Sequence, residues 1–370
     1  MVADILSFQN SISYLCGLEL NFMKRNNNKV KVAISCGDIN GVGLETIIKS
    51  FLDTRMFELC TPLVYGNHHI SKAYRKQIGI QDFSFNLIKN HDKSNQKKVN
   101  LISINDEKMD VSFGTVTDQA GKLAYESITN ATDALASNHA DVLVTAPIHK
   151  QNIPWEYEDI KGHTEYLAHY ANEDHPLMMM VHNDLRVGVV TGHLPLKEVS
   201  KTLTKDKIIQ TLEVFQKSLK QDFNIHQPKI AVLGLNPHAG DNGVIGKEEI
   251  ETIIPAIEAF NADGNIAIGP FASDGFFGSG QFKKFDGILA MYHDQGLIPF
   301  KTISNNEGVN FTAGLPIVRT SPDHGTAFDI AGKNIADPTS FRNAIYLAMD
   351  IYRNRKNYRE LTKDVLEIKK

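Results

Sequence analysis

Cysteine is scarce and unpatterned: Cys16, Cys36 and Cys60 are the three in 370 residues, and no two form a Cys-x-x-Cys pair. This excludes a disulfide framework and a thiolate metal cluster, and it fits a reducing compartment, so a cytoplasmic location is expected. No apolar run reaches the roughly 18 residues that a membrane span needs, so no membrane partner is expected. Charge of one sign is not in excess: the net charge is −4, with both signs interspersed and no basic stripe carrying interleaved aromatics. Nucleic acid is therefore not an expected partner, and any anionic ligand must be held by local groups. No repeat recurs at a fixed period, which argues against solenoids and propellers. The first 28 residues lack a basic n-region, and Asp4 and Glu19 stand among broken apolar patches. That is a poor match to a secretory signal. Residues 1–28 read as an N-terminal extension, disordered or loosely attached, with Met23 resembling a true start.

What is present is the composition of a folded globular protein, 42% hydrophobic and 22% charged, in a chain long enough for two domains. The chain is organised around residues 286–301, DGILAMYHDQGLIPFK. Its apolar run suits a strand covered on both faces, and His293, Asp294 and Gln295 follow at once. In open α/β sheets, ligands bind beyond the carboxyl ends of the strands. Four further runs end in the same way: 31–35 into Cys36-Gly37-Asp38, 141–147 into His149-Lys150, 186–192 into His193, and 229–235 into Asn236-Pro237-His238. One such turn alone is more often a polar cap. Five of them predict a sheet edge that gathers His193, His238 and His293 as a three-histidine metal site.

The glycine-rich turn after the first strand, residues 37–43, precedes a helix and suits an anion at a helix N-terminus. It has neither the third glycine of GxGxxG nor a P-loop lysine, so it is no dinucleotide or triphosphate fingerprint. Further strands are expected at 62–67 and 99–104, with an exposed polar loop at 89–98. Helical spacing predicts helices at 117–139, 204–221, 247–260 and 338–354. Residues 312–333, rich in Gly, Pro, Asp and His, read as loop-dominated. The alternation gives an α/β fold with a largely parallel sheet system.

The segments GDINGVGLE (37–45), TAPIHK (145–150), GHTEYLA (162–168), TGHLPL (191–196), LNPHAGDNGVIGKEE (235–249), DGILAMYHDQGLIPFK and VNFTAGLPIVRTSPDHGTAFDIAGK (309–333) stand in one order along the chain. Together they resemble the PdxA family of 4-hydroxythreonine-4-phosphate dehydrogenases, over nearly all of residues 29–350. The resemblance implies a two-domain isocitrate/isopropylmalate-dehydrogenase-like fold with a cleft between the domains. Residues 29–152 plus 306–370 would form the first α/β domain, and 153–305 the second, carrying the metal ligands and the dimer interface. A homodimer with shared active sites is implied. His193, His238 and His293 become divalent-metal ligands shared between subunits. His163, Thr164, Lys301, Asn310 and Arg319 match substrate-binding positions, and Asp274 and Asp294 match carboxylates that support the site. Gly325, Thr326, Asp329 and Lys333 lie in a stretch resembling the loop that carries the adenosine end of NAD in isopropylmalate dehydrogenases, with Asp329 as the ribose partner. The chain departs from the family pattern at Ile39, Asn40, Leu44 and His149, which bears on the first loop and on substrate detail rather than on reaction type.

The implied reaction is NAD-dependent oxidative decarboxylation of 4-(phosphooxy)-L-threonine to 3-amino-2-oxopropyl phosphate, in the pyridoxal phosphate pathway. Three imidazoles with open positions suit Zn²⁺, with Co²⁺ or Mn²⁺ as alternatives and Mg²⁺ alone a poor match. Such a cation lowers a hydroxyl pKa and stabilises the enolate formed as carbon dioxide leaves. The phosphate of a small phosphorylated substrate suits Lys301 and Arg319, with directional hydrogen bonds from His163, Thr164 and Asn310. NADP is the alternative cofactor. The rival readings are the same chemistry on D-erythronate or D-threonate 4-phosphate, a three-histidine metal-dependent hydrolase, and a metal that only staples a dimer.

Overall fold

Apolar runs become strands where both of their faces are covered, and the computed structural model, which describes residues 29–157 and 160–363, shows this in its central strands. The expected N-terminal extension lies outside the described residues. In chain order the strands are β1 (Val30–Ser35), β2 (Cys60–Gly66), β3 (Asn86–Ile88), β4 (Asn100–Ser103), β5 (Val142–Thr145), β6 (Leu177–His182), β7 (Leu185–Thr191), β8 (Ile230–Leu233), β9 (Ala267–Phe271), β10 (Gly287–Tyr292), β11 (Val309–Ala313) and β12 (Arg319–Pro322). They form one 12-stranded sheet in the order β3-β4-β2-β1-β5-β12-β11-β6-β7-β10-β8-β9. Pairing is parallel except where β11 meets β12 and β6, and where β6 meets β7.

The helices are α1 (Gly43–Ser50), α2 (Met56–Leu59), α3 (His68–Gln77), α4 (Asp118–Ala136), α5 (His163–Ala171), α6 (Leu196–Thr202), α7 (Lys205–Gln221), α8 (Ile254–Ala262), α9 (Ser273–Gly278), α10 (His293–Ser304) and α11 (Thr339–Thr362). Side chains alternate between cores on opposite faces of the sheet, as a strand's period of two requires. Val142 and Val144 join one core and Leu143 another; Leu289 and Met291 join the first, while Ile288 and Ala290 join a third. Each fully buried Leu, Ile or Phe contributes about 1.5–3 kcal/mol. Thr117 and Thr204 cap α4 and α7 by accepting the backbone N–H of Ala120 and Lys207, worth about 1 kcal/mol each.

Two sequence expectations change. Residues 312–333 hold a strand, β12, whose register is fixed by β5 on one side and β11 on the other. Its sequence, Arg-Thr-Ser-Pro, carries no apolar run, so only pairing reveals it. The helix expected at 247–260 opens with a π turn over Glu249–Ile253 before α8 begins. A buried clamp then fixes the β11–β12 hairpin: Arg355 Nε donates to Asp222 at 2.6 Å, and its Nη1 donates to the carbonyls of Leu315 and Ile317.

Candidate functional site

Parallel neighbours bring distant histidines to one edge. β7 and β10 lie side by side with Thr191 opposite Tyr292, and Thr191 Oγ1 donates to the Met291 carbonyl at 2.7 Å. The two strands stop level, and just beyond them His193 and His293 meet with ring centroids 5.6 Å apart, tilted by 43°. His293 opens α10, and its Nδ1 lies 2.7 Å from Asp294 Oδ1. A carboxylate only accepts, so Nδ1 carries a proton, and in the neutral tautomer that this contact selects, Nε2 keeps the lone pair for a ligand. Desolvation, then the charges of Lys150 and His293, push His193 below the ordinary imidazole range, with Glu165 opposing. It is therefore neutral at neutral pH.

His238 follows β8, on the other side of β10, but does not join the pair. It is exposed on a left-handed turn, and among the described residues no group of three His, Cys, Asp or Glu side chains is arranged to hold a metal ion. One chain thus brings together two of the three imidazoles expected at one point. Two imidazoles, one braced by a carboxylate, fit a borderline divalent cation as part of a ligand set. Asp274 is exposed in the first turn of α9. Gln295 is the connector there: its Nε2 donates to Ser273 Oγ at 2.7 Å and to the Gly234 carbonyl at 2.5 Å, while Oε1 accepts from Met291 N at 2.7 Å.

The second cluster surrounds a cavity of about 250 Å³ whose walls include Lys150, His163, Lys301, Asn310 and Arg319. Arg319 is 3% exposed. Among the described residues all its hydrogen bonds go to neutral acceptors: Thr145 Oγ1 at 2.7 and 3.1 Å, Thr312 Oγ1 at 3.2 Å and His163 Nδ1 at 3.2 Å. Burial lowers its pKa to about 10, which leaves it cationic at neutral pH. The charge of Glu165 opposes that shift, but no carboxylate hydrogen-bonds the guanidinium among the described residues. A buried cation left without a paired anion is costly, so the cavity is suited to an anion. Burial first, then Arg319 and Lys150, hold His163 well below the ordinary imidazole range.

Among the described residues, His163 Nε2, Asn310 Oδ1 and His324 Nε2 are buried without hydrogen-bond partners, and all three residues line the cavity. Lys301 is shared with Asp323, Nζ to Oδ1 at 2.9 Å. Thr164 is half-buried next to His163 and is not part of the lining. Lys150 links the two clusters, since it lines the cavity and its charge acts on both His163 and His193.

The expected cofactor stretch leans on the first glycine-rich turn. Val42 N donates to the Thr326 carbonyl at 2.9 Å, and a Cβ on Gly41 would fall 2.6 Å from that oxygen. Gly325 reaches the cavity, whereas Asp329 and Lys333 are exposed. Of the departures, Ile39 and Leu44 are buried, and His149 stacks on Phe328 at 5.7 Å. Asn40 ties its loop to residues 112–117, donating to Thr115 O at 2.8 Å and accepting from Ser112 N at 2.8 Å. Thr145, Lys150, Gln295 and Asp323 are not among the expected site residues, although Thr145 and Lys150 bound the TAPIHK segment, and His324, which opens the expected cofactor stretch, lines the cavity instead.

Residues 58–348 match the family model described as pyridoxal phosphate biosynthetic protein PdxA. The 4-hydroxythreonine-4-phosphate dehydrogenase of Bacteroides thetaiotaomicron is 47% identical over 330 residues, covering 89% of this chain and 90% of that protein. Its counterpart in Sulfurihydrogenibium sp. is 40% identical over 88% of this chain and 100% of its own length. The crystal structure of the 4-hydroxythreonine-4-phosphate dehydrogenase from Klebsiella pneumoniae matches with a TM-score of 0.76 at 33% identity, covering 88% of this chain and 100% of that one.

Proposed function

This chain belongs to the PdxA family of pyridoxal phosphate biosynthetic proteins, and from that membership we propose NAD-dependent, divalent-metal-dependent oxidative decarboxylation of 4-(phosphooxy)-L-threonine to 3-amino-2-oxopropyl phosphate. The observation that carries the reading is Arg319, a buried cation with neutral hydrogen-bond partners, in a cavity that Lys150 links to the paired imidazoles of His193 and His293.

In this reading Arg319 and the Nε2–H of His163 hold the phosphate, and Lys301 adds charge from the rim. Asn310 offers its amide to the substrate's polar groups, and Lys150 faces its carboxylate. His193 and His293, with His238 of the partner subunit, would hold the divalent cation, Zn²⁺ foremost. That cation, when bound, supplies Lewis acidity to the substrate's oxygen through both oxidation and loss of carbon dioxide. Asp294 keeps His293 in the tautomer that leaves Nε2 free. Gly325, Thr326, Asp329 and Lys333 would carry NAD, which would supply the hydride acceptor. The expected domain division, 29–152 with 306–370 against 153–305, and the homodimer belong to the same reading. Exposed apolar side chains on the His238 segment and on α10, Val244 at 81% and Ile298 at 64%, support a covered face there.

Incubation with NAD⁺ and Co²⁺ tests the proposal. NADH formed from 4-(phosphooxy)-L-threonine supports it. NADH from D-erythronate or D-threonate 4-phosphate alone would move the substrate to those acids, and phosphate release without NADH would replace the dehydrogenase with a hydrolase.

A further inference from the structure

The segment after β8 is built in an uncommon hand. From His238 to Gly243 every φ is positive, at 53°, 51°, 79°, 42°, 54° and 91° in turn. Left-handed backbone is disfavoured for residues with a Cβ, least so for Asn and Asp, yet His238 and Ala239 also adopt it. No packing within the chain imposes this path from the outer side, since His238, Asp241 and Asn242 are exposed on the single chain. Something beneath the turn must hold it.

What lies beneath is a buried carboxylate. Glu249 is 2% exposed. Its Oε1 accepts the Asn236 backbone N–H at 2.7 Å and its Oε2 accepts Asn236 Nδ2 at 2.9 Å. Glu248 Oε2 also accepts from Asn236 Nδ2, at 2.8 Å. Asn236 is therefore pinned immediately before the turn, and Ala239 N and Ile245 N close it by donating to the carbonyls of Asn236 and Gly240. Two glycines make room for the carboxylate: a Cβ on Gly240 would come within 2.6 Å of Glu249 Oε2, and one on Gly234 within 3.1 Å of Oε1. The stretch LNPHAGDNGVIGKEE is thus a single device, and the side chain it presents is His238. Disfavoured backbone persists where surrounding structure over-determines it, and it concentrates at functional sites.

We propose that Glu249, acting through Asn236 and the left-handed turn, is the positioning residue for His238, fixing where its imidazole is offered to a divalent cation. This rests on the reading of His238 as a metal ligand.

Co²⁺ titrated into the full-length protein and followed by its visible spectrum tests the inference, with inorganic phosphate binding as the control. Residues that brace metal ligands change affinity about 10–100-fold when removed. Glu249→Ala is expected to weaken Co²⁺ binding by that factor and leave phosphate affinity unchanged. Glu249→Gln keeps an acceptor for the Asn236 N–H but turns an amide toward Nδ2, so it falls between. Adding His238→Ala to Glu249→Ala is expected to cost no more than His238→Ala alone, because both act on one ligand. Wild-type Co²⁺ affinity in either Glu249 variant, losses that add in the double variant, or a parallel loss of phosphate binding would overturn the inference. If Glu249→Ala does not fold, Glu249→Gln carries the test. Unchanged Co²⁺ binding in His238→Ala would instead overturn the ligand reading itself, and the inference with it.

Discussion

Arg319 Nη2 lies 3.2 Å from His163 Nδ1, and this contact decides where the imidazole keeps its proton. A guanidinium only donates, so Nδ1 accepts and the proton sits on Nε2, which is buried and unpartnered in a residue lining the cavity. The pair thus aims two donors at one anion. Arg319→Lys keeps the charge but loses the fork that grips Thr145 and His163. It is expected to raise KM for the phosphorylated substrate about 10–100-fold, the worth of a charge-assisted hydrogen bond. Competition by inorganic phosphate should weaken in parallel, and unchanged inhibition would place the phosphate elsewhere.

Acid should unfold the protein partly through His163. Burial first, then the charges of Arg319 and Lys150, hold its pKa well below the ordinary imidazole value of 6.5. A depressed imidazole contributes stability above the unfolded value, and that stability is lost as pH falls below it, because the unfolded chain takes up a proton that the fold refuses. Denaturant titrations at descending pH should show a loss beginning near 6.5 that is shallower in His163→Gln. An identical slope in the two proteins would contradict the assignment.

Lys150 is exposed, so its removal should spare the fold. Lys150→Met is expected to raise KM for the substrate about tenfold or more, since a hydrogen bond to a charged group contributes about 1.5–3 kcal/mol. Its thermal midpoint should match the wild type. Wild-type KM would make it a solvated surface charge.

The turn that carries Lys150 rests on a glycine in α4. A Cβ on Gly121 would fall 1.8 Å from the Asn152 carbonyl oxygen, so backbone must move. Gly121→Ala, which in a free helix would gain about 1 kcal/mol, is expected here to cost about 1–3 kcal/mol by overpacking. A lowered denaturant midpoint checks it.

The sheet was legible because parallel strands buried on both faces read as apolar runs, and their polar ends marked the edge where His193 and His293 meet. What depended on pairing was not legible. β12 carries Arg319 with no apolar signal of its own, and β6, Leu-Met-Met-Met-Val-His, is placed by antiparallel partners on both sides. His238 stands on a turn whose preceding Asn236 is pinned by a carboxylate 13 residues further on, a contact no local pattern announces. Lys150 could not be distinguished from a surface lysine, since its role arises from what the fold sets beside it. Asn40 departs from the family pattern within its own loop, yet its side chain's partners lie more than 70 residues away.

The most direct measurement is the joint yield of NADH and carbon dioxide from 4-(phosphooxy)-L-threonine in the metal-loaded protein, repeated after chelation and in His293→Ala. The account predicts equal yields of the two products, abolished by chelation and by the substitution. Phosphate release without NADH, or full turnover in His293→Ala, would contradict it.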